Sequence, residues 1–268
     1  MSETQAATNQ LSGTNKILVS IDGAVASITI NNPPANTWDT ESLPGLKRAV
    51  EALNADPAVI ALVIHGEGNK FFSAGADLKQ FSTGDKGLST EVATVFGEAF
   101  ETLANFEGVS IAAINGYAMG GGLEVALACD IRIAEEQAQM ALPEAAVGLL
   151  PCAGGTQRLP WLVGEAWAAR MILCGERLKA DQAEKIGLIQ QVVPTGEGLS
   201  TALSLANKVG NQSPDSVKAC KRLLSAPREA AIANGLSQEH TEFVSLIGEK
   251  NQLEGTNAFL EKRTAEWK

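Results

Sequence analysis

One stretch, Val109 to Asp130, constrains the fold more than any other part of the chain, and it reads VSIAAINGYAMGGGLEVALACD. The β-branched apolar run at its start predicts a buried strand, which an Asn-Gly pair ends. Three glycines, Gly120 to Gly122, then precede an apolar helix. Such glycines let a ligand approach the backbone and leave helix amides free to face negative charge. The stretch therefore predicts an α/β fold with a ligand site beginning at these glycines.

Two isolated acids are candidates for chemistry. Glu124 lies in the apolar helix, and Glu144 follows Pro143 at the start of another apolar segment. A buried ionised carboxylate is costly, so we expect each acid to be paired, hydrated or raised in pKa. The alternatives stay open: Glu124 reaches solvent or a salt bridge, and Glu144 favours a helix start through the helix dipole.

Charge and composition exclude several classes of function. The chain has 268 residues, 31 acidic and 21 basic side chains, and a formal charge of −10. This charge opposes nonspecific binding to nucleic acid or to an anionic membrane, so neither is expected as a partner. The polar first 16 residues do not resemble a secretory signal, and no apolar run approaches the length of a membrane span. The expected location is the cytoplasm.

Cysteines and histidines give no sign of a metal site or a catalytic triad. The four cysteines are far apart and form no CxxC pair, which predicts reduced thiols rather than zinc ligands or disulfides. His65 and His240 are not placed like triad bases, and the chain has no GxSxG motif. The acid–base chemistry is therefore expected from carboxylates, without a metal or redox cofactor.

The order of patterns predicts three regions. Residues 1–15 are a polar tail, residues 16–197 alternate strand and helix patterns as an α/β core with the active site, and residues 198–268 show only helical patterns. In the last region we predict separate helices at Pro214 to Leu224 and Glu229 to Gly248. Earlier, Thr156 is expected to start a short helix that Pro160 interrupts.

Two turns, Ser73 to Asp77 and Gly120 to Gly122, each follow a buried strand. Two amides brought together from such turns form an oxyanion hole, and the alternative is that the glycines serve only tight packing. The glycine run lacks the GK[ST] of a Walker loop and the spacing of GxGxxG, so no nucleotide cofactor is implied.

Three blocks carry a resemblance: FFSAGADLK at 71–79, NGYAMGGGLEVALACD at 115–130 and LPEAAVGLLPCAGGTQRLP at 142–160. They resemble the signature blocks of the crotonase family, specifically of enoyl-CoA hydratases, and the similarity covers nearly the whole chain after about residue 15. The resemblance implies an α/β fold, a crotonase-like spiral of repeated ββα units with a C-terminal helical trimerisation region. It also implies a homotrimer or a homohexamer built as a dimer of trimers.

The resemblance assigns roles position by position. Ala76 and Gly121 match the two amide donors to the thioester oxygen, and Glu124 and Glu144 match the two catalytic glutamates of the hydratases. Family isomerases usually keep only the acid that matches Glu144. Seven further residues are implied to bind the CoA portion, although the three lysines among them are equally well read as solvated surface side chains: Lys70, Ala74, Asp77, Leu78, Lys79, Phe259 and Lys262.

The activity implied is reversible syn addition of water to a 2-enoyl-CoA thioester, giving a 3-hydroxyacyl-CoA, with no cofactor beyond the CoA of the substrate. The alternatives are a 3,2-enoyl-CoA isomerase, a hydratase of a specialised acyl-CoA, and a non-catalytic RNA-binding relative. Two departures from the family pattern bear on substrate preference. Cys152 stands where glycine is common, and NPPANTW near residue 35 differs from the commonest hydratase pattern.

Overall fold

Two β-sheets organise the computed structural model, which describes residues 8–267. The larger sheet has six strands in the order β1-β2-β3-β5-β7-β10, and the smaller has four in the order β4-β6-β8-β9. Only β1 in the larger sheet and β9 in the smaller run antiparallel to their neighbours. The strands are β1 (Ile17–Asp22), β2 (Val25–Ile30), β3 (Ala61–Gly66), β4 (Phe71–Ser73), β5 (Val109–Ile114), β6 (Tyr117–Met119), β7 (Ile131–Glu135), β8 (Gln139–Ala141), β9 (Leu178–Lys179) and β10 (Gln191–Val193).

A repeated unit generates both sheets. Three times in succession, a strand of the larger sheet is followed within a few residues by a three-residue strand of the smaller sheet: β3 then β4, β5 then β6, and β7 then β8. A helix follows each pair, and the chain advances by one position in both sheets. This arrangement confirms the predicted spiral of ββα units.

Nine α-helices within residues 8–267 surround the sheets. They are α1 (Ser42–Ala55), α2 (Lys86–Ala104), α3 (Gly121–Leu127), α4 (Gly155–Val163), α5 (Glu165–Leu173), α6 (Ala180–Lys185), α7 (Gly198–Gly210), α8 (Pro214–Leu246) and α9 (Lys250–Leu260). Two short 3₁₀ helices, Leu78–Phe81 and Glu144–Val147, lie beside the smaller sheet. No helix in this part of the chain is long and apolar enough to cross a membrane.

Two predictions about helix ends were wrong, and proline is the reason for both. The helices predicted on either side of Pro227 are one continuous helix, α8. Pro160 likewise lies inside α4 and does not interrupt it. A proline removes one hydrogen-bond donor but leaves the bonds before and after it. Most residues around Pro227 are exposed, so water can reach the carbonyl that loses its partner.

The larger sheet is covered on both faces, which explains why its strands are continuously apolar. On β3, Leu62 and Ile64 face the main core with α1 and α2, while Ala61 and Val63 face a second cluster with α7. The first helix of the predicted C-terminal region thus packs against the core sheet, and the division at residue 197 stays a prediction. At the other end, Thr8 pairs with Val19 of β1, and residues 1–7 of the predicted tail lie outside the described residues.

Candidate active site

Three turns meet at one edge of the smaller sheet. Strands β4, β6 and β8 are parallel neighbours, so their carboxyl ends lie at the same edge. The turn 74–77 follows β4, Gly120 to Gly122 follow β6, and Pro143 and Glu144 follow β8. The three sequence blocks, which are far apart along the chain, are therefore adjacent in the fold.

Glycine is required where the first two turns touch. A Cβ on Gly122 would lie 2.1 Å from the carbonyl oxygen of Ser73, and a Cβ on Gly75 would lie 2.6 Å from that of Met119. Gly75 also has φ +86°, a conformation that residues with a Cβ rarely adopt. The amide nitrogen of Gly121 is only 3.2 Å from this Cβ position, so the turns are in direct backbone contact.

Ala76 and Gly121 line the same cavity, and the backbone amides of both are free of protein acceptors among the described residues. Trp38 donates its amide to the carbonyl of Gly75 at 2.8 Å and accepts from the amide of Asp77 at 3.1 Å, which leaves the Ala76 amide outside the pairing. Gly121 is the first residue of α3, where amides have no acceptor within the helix. Within residues 8–267, neither amide donates to another protein group.

A cavity of about 460 Å³ lies in front of these amides. Its walls are mostly apolar, and both predicted catalytic acids and both predicted amide donors line it. The 3₁₀ helix after Asp77, the 3₁₀ helix after Pro143, α8 and α9 complete the walls. The apolar lining side chains from these four elements are Leu78, Phe81, Val147, Phe243, Phe259 and Leu260.

Glu124 is held by backbone amides. It is buried, and its Oε1 accepts hydrogen bonds from the amides of Ala153 at 2.9 Å and Gly155 at 2.8 Å. Burial, followed by the charge of Glu239, raises the pKa of Glu124 to about 8, although the two amides act in the opposite direction. Glu124 is therefore an acid that releases its proton near neutral to mildly alkaline pH.

Glu144 has the contrasting environment. Both of its carboxyl oxygens are buried and have no hydrogen-bond partner, which favours the neutral form. Burial, followed by the charge of Glu124, raises the pKa of Glu144 well above its usual range. A Cβ on Gly120 would lie 3.0 Å from Glu144 Oε1, so the glycine turn makes room for this carboxyl. Hydrogen bonding within the site thus favours the ionised form of Glu124 and the neutral form of Glu144.

Two residues in or near the site were not predicted from the sequence: Arg177 lines the cavity, and Glu239 binds the turn behind Glu124. Glu239 of α8 is buried and accepts from the amides of Gly154 at 2.6 Å and Thr156 at 2.9 Å. Arg177 is a cation that lines the cavity. Glu239 lies in a charged helical stretch where nothing distinguishes it from the exposed Glu242, and Arg177 lies in a polar turn. No local signal marks either residue.

The seven predicted CoA-binding residues divide into two groups. Ala74, Asp77, Leu78 and Phe259 line the cavity. Asp77 also caps the following 3₁₀ helix by accepting from the amide of Lys79. The three lysines are exposed and do not line the cavity, and their role stays a prediction: Lys70, Lys79 and Lys262.

Both departures from the family pattern reach the cavity. Cys152 lines it, and so do Ala35 and Thr37 of the NPPANTW segment. Burial raises the pKa of the Cys152 thiol well above its usual range, so this side chain acts as a neutral wall. All four cysteines are free, as predicted. Residues 8–267 contain no cluster of His, Cys, Asp and Glu that fits a metal ion.

Comparison with known proteins identifies the family of this chain. The family model for enoyl-CoA hydratase/isomerase matches residues 20–268, which is nearly the whole chain. The chain belongs to the enoyl-CoA hydratase/isomerase family. Family membership confirms the resemblance found in the three sequence blocks.

Individual relatives in the enoyl-CoA hydratase/isomerase family cover the chain almost completely. The 2,3-dehydroadipyl-CoA hydratase of Escherichia coli is 38% identical over 255 residues, covering 95% of this chain and 99% of the relative. The short-chain-enoyl-CoA hydratase of Clostridium acetobutylicum is 36% identical, covering 94% and 97%. Among solved structures, Pseudomonas aeruginosa DspI is 62% identical with a TM-score of 0.80, covering 88% of this chain and 96% of that one.

Proposed function

We propose that this protein is an enoyl-CoA hydratase that adds water reversibly, in the syn sense, to the 2-ene of an enoyl-CoA thioester. The product is a 3-hydroxyacyl-CoA. The single observation that carries the proposal is the presence of two differently held glutamates in one cavity with two unpaired backbone amides. Relatives at 36–38% identity over most of the chain are named as hydratases of acyl-CoA thioesters, which supports the same reaction class.

The two unpaired amides supply the oxyanion hole. The thioester oxygen accepts from the amides of Ala76 and Gly121, and negative charge grows on this oxygen as water adds to the conjugated double bond. Fixed donors in a mostly apolar cavity stabilise that charge, and one such donor contributes roughly 3 kcal/mol to the transition state. Small residues around both turns let the thioester reach the backbone.

The two glutamates divide the proton transfers. Glu124 is ionised as pH approaches its pKa of about 8, and two amides support that form. It then takes a proton from the water, and the resulting hydroxide adds to the β-carbon. Glu144, whose neutral form is favoured because its buried carboxyl oxygens accept no hydrogen bond, delivers its proton to the α-carbon. The net change is one water added, with the proton now on Glu124 instead of Glu144. Transfer of that proton between the neighbouring acids restores the starting state.

Activity assays on conservative variants test this division. Glu124→Gln and Glu144→Gln keep the size of each side chain and remove the transferable proton. Each is expected to lower kcat for hydration of a short 2-enoyl-CoA roughly 10²–10⁴-fold. Product chromatography of the 3-hydroxyacyl-CoA measures the rate, and circular dichroism checks that the fold is retained.

The matched control is Glu91→Gln, which changes an exposed glutamate on α2 and is expected to retain wild-type activity. Full hydration activity in either site variant would contradict the two-carboxylate mechanism. Conversion of a 3-enoyl-CoA to the 2-enoyl product without hydration would identify the isomerase alternative instead.

Other features of the enzyme are proposed from the same reasoning. The CoA portion leaves the cavity past Ala74, Asp77, Leu78 and Phe259, and its phosphates meet cations at the rim. Arg177 joins the predicted lysines there because it lines the cavity.

A homotrimer or a dimer of trimers is proposed from the family resemblance, and sedimentation equilibrium measures the assembly. No cofactor beyond the CoA of the substrate is proposed, and the cytoplasmic location stays a prediction.

A further inference from the structure

The turn from Ala153 to Thr156 presents four consecutive backbone amides to two buried carboxylates. The amides of Ala153 and Gly155 donate to Glu124 Oε1 at 2.9 and 2.8 Å. The alternate amides, those of Gly154 and Thr156, donate to Glu239 at 2.6 and 2.9 Å. The hydroxyl of Thr156 also donates to Glu239. The turn is therefore held between the two acids.

We propose that Glu239 is a positioning residue, which holds this turn from one side so that the turn's other two amides reach Glu124. Glu239 does not line the cavity. Its effect on the reaction passes through the backbone of the turn to Glu124 Oε1, and its kinetic consequence rests on the hydratase function proposed above.

The turn needs such an anchor because its own sequence is permissive. Gly154 has φ +99°, and two adjacent glycines have more conformational freedom than any other pair of residues. A Cβ on Gly155 would lie 2.9 Å from Glu124 Oε1, so the glycine is required for the close approach of the carboxylate. The flexibility that permits the contact also requires a group that fixes it, and Glu239 fixes the intervening amides.

The surrounding elements hold Glu239 in place. Helix α8 approaches α4 closely at Gly235, where a Cβ would overlap the side-chain oxygen of Gln157. Arg158 of α4 donates to the carbonyl of Ala153 at 3.2 Å and pairs with Glu101 of α2, so a cation lies beside the acids. Burial raises the pKa of Glu239, and its three donors, more than Glu124 or Glu144 has, oppose that rise.

The same helix forms part of the cavity wall. Phe243 follows Glu239 by one helical turn, lines the cavity and packs edge-on against Phe81 with 5.6 Å between ring centroids. Residues four apart lie on the same face of a helix. One face of α8 therefore both fixes the turn behind Glu124 and shapes the space in front of it.

Amide hydrogen exchange tests the positioning without any substrate. Glu239→Gln leaves one acceptor oxygen for three donors, so the turn is expected to loosen. Exchange at Ala153 and Gly155, whose amides do not contact Glu239, should become roughly 10-fold faster, while the amides of β3 and β5 keep their wild-type rates. The matched control is Glu242→Gln, an exposed glutamate on the same helix, which should change neither set.

Kinetics provide the second arm. Glu239→Gln displaces Glu124 and also removes the charge that raises its pKa, but it leaves the lining of the cavity unchanged. It should therefore lower kcat for hydration roughly 10- to 100-fold and leave KM within about threefold. Glu242→Gln should leave both constants unchanged. A general loss of structure would instead lower the melting temperature and speed exchange throughout the sheets.

The two arms separate this inference from the proposed function. If the wild-type protein hydrates a 2-enoyl-CoA but Glu239→Gln alters neither kcat nor exchange at Ala153 and Gly155, the positioning role is wrong and the function stands. If exchange at these amides speeds up but the wild type hydrates no enoyl-CoA, the function fails and the positioning stands.

A milder variant covers the case in which Glu239→Gln does not fold. Thr156→Val removes the hydroxyl that donates to Glu239 and accepts from Gln157 Nε2, and it keeps both glutamates and all four amides. A roughly threefold faster exchange at Ala153 and Gly155 supports the inference. Unchanged exchange in the folded Thr156→Val protein would overturn it.

Discussion

The two ends of α3 are both buried, but their polar groups differ in hydrogen bonding. Those at the carboxyl end are paired with protein groups, and some at the amino end are not. At the carboxyl end, Arg132 donates to the carbonyls of Ala126 at 3.3 Å and Cys129 at 2.7 Å, and to that of Leu188 at 2.8 Å. At the amino end, the Gly121 amide and the carboxyl of Glu144 have no protein partner within residues 8–267.

This difference distinguishes buried polar groups that stabilise the fold from buried polar groups that are available to a substrate. Buried polar groups are normally paired, because an unpaired one costs about 1–3 kcal/mol. The carboxyl end follows this rule with protein groups alone. The amino end violates it at several atoms around a single cavity, which is the arrangement expected where a substrate supplies the missing partners. Three variants test this contrast, beginning with the largest expected effect.

The largest effect on stability is expected from substitution of Glu124, which belongs to α3 and lines the cavity at the amino end of this helix. Burial raises its pKa from 4.5 to about 8 in the folded protein. Between these values the unfolded chain has released the proton that the folded protein still holds, so the free energy of unfolding falls as pH rises. The slope reaches about 1.4 kcal/mol per pH unit for one proton. Glu124→Gln removes the titrating group and with it this fall in the free energy of unfolding.

Relative to wild type, Glu124→Gln should therefore become more stable as pH rises from 5 to 8, by up to about 4 kcal/mol. Urea unfolding at several pH values measures the difference. Glu91→Gln, on the exposed side of α2, should show no such trend. A stability difference that is constant across this range would mean that burial does not raise the pKa of Glu124.

A substitution at the carboxyl end of α3, where the polar groups are paired, should have a smaller effect on stability and almost none on the rate of hydration. Arg132→Met removes the donor to three buried carbonyls and should lower the free energy of unfolding by about 3 kcal/mol. Hydration by the folded fraction should stay within about threefold of wild type, because the arginine does not line the cavity. Urea unfolding and steady-state assays measure the two quantities.

Arg170→Met is the matched control, since this arginine is largely exposed and pairs with Glu176 at the surface. Its loss should cost less than about 1 kcal/mol. If Arg132→Met instead abolished hydration while leaving stability intact, the two ends of α3 would not differ as described.

The contrast between the ends shows what the sequence can and cannot predict. The buried strand before the glycines, the apolar helix and the isolated acid Glu124 were all predicted, because each depends on a local pattern. The smaller sheet was not specified, since β4, β6 and β8 have only three residues each and show no periodicity. That sheet is what brings the three turns to one edge.

Long-range partners were also outside the reach of local patterns. Glu239 lies 83 to 85 positions after the amides that it binds, and its neighbours resemble those of any exposed helical acid. The continuity of α8 through Pro227 depends likewise on the exposure of the helix, which the sequence pattern did not reveal. The two acids of the cavity were identified because resemblance supplied the three-dimensional relation that periodicity lacks.

The smallest effect on stability is expected in the turn 74–77, which contacts the amino end of α3. Gly75→Ala places a Cβ 2.6 Å from the carbonyl oxygen of Met119 at φ +86°, which should cost about 2 kcal/mol of stability. Because the same Cβ lies 3.2 Å from the Gly121 amide, the two turns must also separate. The donors at Ala76 and Gly121 then no longer converge on one oxygen, and kcat should fall roughly 10- to 100-fold.

Gly97→Ala is the matched glycine substitution, because it lies inside α2 and a Cβ there meets no atom within 4 Å. It should raise the free energy of unfolding by about 0.5–1 kcal/mol and leave kcat unchanged. Thermal unfolding and hydration assays on both variants complete the test. Equal activity in the two would show that the spacing of the turns does not matter, and the unpaired amide at the amino end of α3 would then need another explanation.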